Sequence, residues 1–232
     1  EQQDYTAFDE KALTADFDDR LWSFAQRAKP LQTEYLVSDC PADREGKLKP
    51  VRCITKADGG MYYDTGSNCS ALPVFRITAK KGETVTVLFS EECAPDGTLD
   101  MNFHHGQRFS LVSDGKERTV QPMFTWFAFR YFAVFGAAEP MGIREVHSDV
   151  RVSSEFQCDR ETLNWLYQTY VSTQLSNLHT GIPSDCPHLE RRGYTGDGQL
   201  TCHAAMDMLD AKAFYRKWME DISDCQDVCS GH

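Results

Sequence analysis

The sequence predicts an antiparallel β-sandwich followed by helices, and three observations carry that order. From about residue 38 to residue 136 the chain consists of short β-rich runs cut by turn signals. After residue 155 the apolar spacing changes to a helical period. Between the first two helical runs lies a loop too polar and too rich in glycine to be core. The runs LPVFRITAKKGETVTVLFSEE, QRFSLVSDGKERTVQPMF and TWFAFRYFAVFG are separated by ADGG, KKGE, PDGT and SDGK. In FRITA and TVTVLF apolar and polar side chains largely alternate, which predicts strands with one buried face. FTWFAFRYFAVF is denser in aromatics and predicts a strand buried on both faces or one bearing ligands.

Four segments follow. Residues 1–37 have no settled role, residues 38–136 form the sandwich, residues 137–154 are a connector, and residues 155–232 begin a helical domain. In the last segment Leu163, Leu166, Tyr167, Tyr170, Val171 and Leu175 fall at helical spacing, with Asp159 a plausible N-cap. A second helix fits QLTCHAAMDML. A third fits AKAFYRKWMEDIS, capped by Asp210, with Phe214, Trp218 and Ile222 on one face. Such one-sided stripes need cover. Trp165, Phe214 and Trp218 therefore predict a larger helical body, and the chain reads as unfinished at its C-terminus.

Composition sets bounds. The 232 residues carry a formal net charge of -11, which argues against nucleic acid or an anionic membrane as partner. No apolar run approaches the roughly 18 residues of a membrane span, and the acidic opening EQQDYTAFDEKALTADFDDR is no signal peptide. Nine cysteines are scattered without paired CxxC modules, so mostly buried, reduced thiols are expected, leaning weakly toward a cytoplasmic setting. Cys225, Cys229, Cys202, His203 and His232 are a poor zinc set by the same rule, and no metal is expected.

The loop SDCPHLERRGYTGDGQL, residues 184–200, holds five charged side chains and three glycines in seventeen residues. Pro187 keeps the chain extended, and Gly193, Gly196 and Gly198 allow positive φ and tight turns. Asp185, Glu190 and Asp197 repel one another unless separated or paired, and Arg191 and Arg192 are the available partners. A carboxylate opposed by neighbours and burial has a raised pKa, which is what a general acid needs. Glycoside cleavage uses such an acid, while further carboxylates accept hydrogen bonds from sugar hydroxyls. A solvated, salt-bridged loop is the plainer alternative. His188 reads as orienting the loop, His104 and His105 as a surface loop, and His179 and His203 as packing. Trp126, Phe127, Phe129 and Phe132 read as core, and Cys186 as a small apolar filler.

At DCPHLERRGYTGDGQ the chain resembles the bacterial and fungal α-L-rhamnosidases of glycoside hydrolase family 78, whose usual form is close to DCPxRERLGYTGDxQ. YYDTGSN, GETVTVLFSEECAPDGTL, FTWFAFRYFAVFG and FQCDRETLNWLYQ are similar to further family elements in the same order. The resemblance implies a jelly-roll domain over about residues 38–136, then the start of an (α/α)6 barrel. It implies Glu190 as general acid, Asp185 and Asp197 as binders of rhamnose hydroxyls, and Arg191, Arg192 and Tyr194 as supporting residues. It further implies inversion of configuration, with the general base on a later loop outside this chain, and a rhamnose-containing glycoside or polysaccharide as partner. No cofactor is indicated, calcium included. Leu189 and Arg192 stand where Arg and Leu are usual, Phe127 and Ala128 where His and Gly are usual, and MNFHHG differs from the family's Arg-containing segment; these departures bear on the aglycone more than on the sugar. The alternative is a catalytically inactive fragment acting as a carbohydrate-binding or structural module.

Overall fold

A computed structural model describes residues 1–7, 10–30 and 37–226. Cys229 and His232 lie outside the described residues. The strands are β1 (Gln2–Asp4), β2 (Asp43–Lys49), β3 (Arg52–Ala57), β4 (Gly60–Ile77), β5 (Thr84–Ser90), β6 (Arg108–Val112), β7 (Arg118–Val120), β8 (Phe127–Phe135) and β9 (Ala138–Ser148). Then come α1 (Glu161–Ser176), a two-residue hairpin of β10 (Leu178–His179) and β11 (Ile182–Pro183), α2 (Thr195–Met208) and α3 (Lys212–Cys225). Among the described residues no helix is long and apolar enough to cross a membrane.

The nine strands form one curled sheet in the order β1-β6-β5-β8-β4-β9-β2, with β3 and β7 also pairing β4. β4 curls the sheet because it is long enough to change partners. Its first part pairs β3 and β8, and its last residues pair β7 and β9. All pairings in the sheet are antiparallel except β1 with β6, which is parallel. Inside the curl, Phe75, Phe89, Phe109, Phe129 and Phe132 are fully buried. Phe89 stacks on Phe127 with centroids 4.2 Å apart. β8 is buried on both faces, as its aromatic density predicts.

The sheet exceeds the expected boundaries at both ends. β1 lies within the unassigned segment 1–37, and β9 occupies most of the expected connector 137–154. Pro140 and Gly142 disguise β9 as a loop. The proline is tolerated because it faces the β4 irregularity between Val74 and Phe75, where the ladder is already broken. Ile143 and Val146 then point inward, 1% and 7% exposed.

The three helices are present, with different ends. Arg160, not Asp159, occupies the N-cap of α1 and makes no side-chain cap bond. The entry is closed instead by Asn164, whose amide donates to the Cys158 carbonyl and accepts from its N–H, both at 2.8 Å. α3 starts after Ala211, and the expected cap Asp210 forms an ion pair with Arg151 at 3.5 Å. α2 starts at Thr195, four residues before the expected Gln199, so the end of the motif is helical rather than loop. Phe214, Tyr215 and Trp218 of α3 pack with Val171, Leu178, Ala205 and Leu209 in a second apolar cluster, partly covering Ile222.

The thiols also differ from expectation. The eight described cysteines are free, but only Cys69 is buried, and burial pushes its thiol up to about 12.

Candidate active site

The motif sits on the seam between the sheet and the helices. The β10–β11 hairpin turns at Thr180 and Gly181, both with positive φ, and delivers the chain to Ser184. Ser184 is tied back to Asn177 by its N–H at 2.8 Å and by its hydroxyl. From there residues 185–192 close into a ring. The Asp185 N–H donates to the Arg192 carbonyl at 2.8 Å, and the Arg192 N–H donates to the Asp185 carboxylate at 2.9 Å. Inside the ring the Glu190 N–H meets the Cys186 sulfur at 3.4 Å, so Cys186 is a hydrogen-bonded part of the loop as well as a filler.

This closure sets the electrostatics of the acid cluster. Burial alone would raise the Asp185 pKa. Bonds from the Arg192 and Cys186 amides outweigh it, joined by the Cys186 thiol and Glu190, and hold the carboxyl below its usual range. Asp185 is thus held as an anion, and its carboxyl neighbours that of Glu190. The Tyr194 phenol also interacts with Glu190, which pushes the phenol pKa up. The structure therefore draws Asp185, Glu190 and Tyr194 together. Asp197 stands exposed in the first turn of α2, where the positive end of the helix dipole favours an anion. Glu190 and Arg192 are exposed.

Arg191 departs from the expected pairing with the carboxylates. It donates to the Pro187 carbonyl at 3.0 Å, the Thr125 hydroxyl at 3.0 Å and the Trp126 carbonyl at 2.8 Å. Its guanidinium lies 3.8 Å from the centre of the Trp126 ring. With so much of it desolvated, its pKa is lowered by burial. Arg191 is a peg that fixes the loop to the strand entering β8, and it adopts a φ of 54° to reach there. Trp126 stacks in turn on His179 at 3.8 Å, and His179 contacts the Asp43 carboxylate at 3.3 Å. This chain of contacts lines a cavity of about 510 Å³ between the sheet and the β10–β11 hairpin with its motif loop, bordered by Phe124, Trp126, His179 and Arg191.

The glycines also have a different role from the one expected. None of Gly193, Gly196 and Gly198 takes a positive φ. Gly193 and Gly198 are needed for close approach instead. A Cβ at Gly198 would stand 2.2 Å from Cη2 of Trp218, and one at Gly193 would stand 2.4 Å from Cγ2 of Ile182. Trp218 therefore seats the motif from below.

Sequence reasoning did not find the partners Thr125, Asp43 and Glu91. Each meets the motif or its hairpin across more than sixty residues, and no local pattern signals such pairs.

The comparisons with known proteins agree with this layout. The bacterial alpha-L-rhamnosidase concanavalin-like domain matches residues 54–152, and the bacterial alpha-L-rhamnosidase 6 hairpin glycosidase domain matches residues 151–231. An alpha-L-rhamnosidase of Formosa agariphila is 26% identical over 94% of this chain and 24% of its own length. The solved alpha-L-rhamnosidase of Dictyoglumus thermophilum superposes with a TM-score of 0.89 at 29% identity, over 98% of this chain and 27% of that one. The Streptomyces avermitilis alpha-L-rhamnosidase, solved with L-rhamnose, gives 0.82 at 26% identity, over 92% and 22%. The chain thus spans about a quarter of the length of the relatives it matches. With adjoining domains matched in order along most of its length, the chain belongs to the bacterial alpha-L-rhamnosidase family.

Proposed function

We propose that this chain forms the jelly-roll domain and the opening helices of an (α/α)6 barrel in an inverting α-L-rhamnosidase, and that residues 184–200, a loop running into α2, are its acid-bearing active-site segment. The observation that carries the reading is the closed 185–192 ring. It holds Asp185 ionised beside Glu190 on a loop pegged to the sheet by Arg191. Of the two neighbouring carboxyls, Asp185 is fixed as an anion by amide donors. Glu190 is the exposed one, and we assign it to deliver a proton to the leaving glycosidic oxygen. Asp185 and Asp197 accept hydrogen bonds from the hydroxyls of a terminal α-L-rhamnose, the sugar bound by the Streptomyces relative.

Inversion needs a second carboxylate to activate water, about 6.5–9.5 Å from the acid. We place that base outside this chain, on a later loop of the barrel. The exposed face of α1, with Leu163, Trp165 and Leu166, supports a body of further helices packed there. The natural partner is a rhamnose-containing glycoside or polysaccharide.

The test is Glu190→Gln in the whole protein. Turnover of an α-L-rhamnoside is expected to fall roughly 10²–10⁴-fold while L-rhamnose binding changes little. The loss should be smaller on an aryl glycoside whose leaving group needs no proton. The first-formed sugar should be the β-anomer by NMR. Undiminished turnover removes Glu190 as the acid. No hydrolysis by the wild-type protein favours a carbohydrate-binding or structural module.

A further inference from the structure

Glu91, His105 and His188 meet on the far side of the motif loop from Arg191, and no step of the proposed hydrolysis uses them. Glu91 directly follows β5. His105 comes from the loop before β6. His188 belongs to the motif, two residues ahead of Glu190. A ligating atom from each lies within 4.8 Å of the other two. The two imidazole rings face each other at 4.5 Å. All three side chains are half-buried.

The cluster leaves one group uncompensated. Nδ1 of His188 is buried and makes no hydrogen bond, although it stands only 3.3 Å from the Glu91 carboxylate. A buried polar atom without a partner keeps its desolvation penalty uncompensated. Such an atom calls for a partner of its own. The first anchor of the cluster is equally specific: the Asn68 amide donates to the same Glu91 carboxylate at 2.6 Å, from the β4 irregularity between Asp64 and Cys69. The second is the loop before β6, pinned by a contact of His104 Nδ1 with the Phe89 carbonyl at 2.7 Å. There His105 adopts a φ of 51°, an uncommon conformation for a residue with a side chain, and it turns the imidazole toward His188.

The donor set selects the ligand. Two imidazoles and one carboxylate suit zinc and other first-row divalent ions, whereas calcium and magnesium take oxygen donors. Tetrahedral zinc with bonds of about 2.0–2.1 Å holds its ligand atoms roughly 3.4 Å apart. The His188–Glu91 edge already has that length, and the two edges to His105 lie within 4.8 Å. The Asn68 bond supplies the outer contact that orients a ligating carboxylate.

We propose that Glu91, His105 and His188 form a divalent metal site of the zinc class, which clamps the motif loop to the ends of β5 and β6. With Arg191 pegging the loop to the strand entering β8, the clamp fixes it from two sides around Glu190. The metal is structural in this assignment, and its binding is read without reference to hydrolysis.

The experiment is a cobalt titration of the metal-free chain, followed by visible absorption and by thermal unfolding with added zinc. One equivalent of cobalt should give the ligand-field bands of a nitrogen–oxygen site, with no thiolate charge-transfer band. Zinc should raise the Tm. Asn tolerates the backbone conformation of residue 105, so His105→Asn keeps the loop while removing a ligand. Affinity should fall at least about tenfold in His105→Asn and again in Glu91→Gln. Absence of binding, a thiolate band, or unchanged affinity in both variants overturns the site.

Discussion

Phe132 in β8 and Trp165 in α1 are both large aromatic side chains on regular elements, yet Phe132 is fully buried and Trp165 is 62% exposed. The contrast holds for the regions around them. In the curled sheet, one strand's apolar face is covered by another part of the same sheet, and the phenylalanine cluster closes inside it. In the helical segment, α3 finds cover through Phe214 and Trp218, while Leu163, Trp165 and Leu166 of α1 face outward. A region that satisfies itself can serve as a platform. A region with an open apolar face is built to be continued, and the candidate active site lies where the first carries the second.

Truncation separates the two regions most sharply. Phe132→Ala should cost about 3–5 kcal/mol, because it removes a ring from a core with no exposed surface. Trp165→Ala in this chain should change stability by no more than about 0.5 kcal/mol. Urea unfolding of the two variants measures both. Equal losses would mean that α1 is covered after all and would remove the contrast.

The glycines of α2 give the next largest effect. Gly198→Ala drives a methyl into the Trp218 ring and should destabilise the helical segment by about 1–3 kcal/mol. Nothing lies within 4 Å of a Cβ at Gly196, so Gly196→Ala should be neutral or gain up to about 1 kcal/mol from helix propensity. Thermal unfolding followed by helical circular dichroism distinguishes them. A stable Gly198→Ala variant would show that Trp218 does not seat the motif.

Arg191 joins the regions, and its replacement should have a smaller, local effect. Arg191→Lys keeps the charge but loses the planar fork that reaches Thr125, Trp126 and Pro187. Amide exchange at Glu190 and Arg192 should quicken about tenfold, the ratio expected for roughly 1.4 kcal/mol. Arg192→Lys, whose side chain is exposed, should leave that exchange unchanged.

These differences also explain what the sequence makes legible. The period of 2 in β5, the aromatic density of β8 and the helical spacing of α1 and α3 are local patterns, and each marks its element. Motif chemistry is local too, so the sequence groups Asp185, Glu190 and Asp197, but only the fold brings Tyr194 to Glu190 and sets Asp197 apart on α2. β9 is hidden because Pro140 and Gly142 read as breakers, while the sheet accommodates the proline at an irregularity in its partner strand. The start of α2 is hidden because Gly196 and Gly198 depress helix propensity, and packing under Trp218 overrides that cost. The partner of Arg191 is hidden for a simpler reason. Charge alone pairs it with a carboxylate, but geometry gives it a tryptophan ring and two carbonyls.

The smallest effect lies wholly within the sheet and tests whether its buried charge is as self-contained as its apolar core. Asp64 is buried in β4 and accepts from Arg130 at 3.0 Å, from Arg52 at 2.9 Å and from the Gly66 N–H at 2.7 Å. Burial by itself would raise the Asp64 pKa, but these donors together lower it below its ordinary value of 3.8. A carboxyl with a depressed folded-state pKa stabilises the fold above its unfolded pKa, and that contribution fades as pH falls through the folded value. Both arginines are partly solvated, at 77% and 40% exposure, so screening keeps the effect modest. Asp64→Asn should therefore cost about 1 kcal/mol at neutral pH. The gap between wild type and variant should persist down to about pH 4 and close progressively below it. Urea midpoints measured across that range decide the matter. A gap that stays constant into acid would mean that Asp64 acts through its shape and its neutral hydrogen bonds, and that the paired charges contribute nothing to holding the β4 irregularity in place.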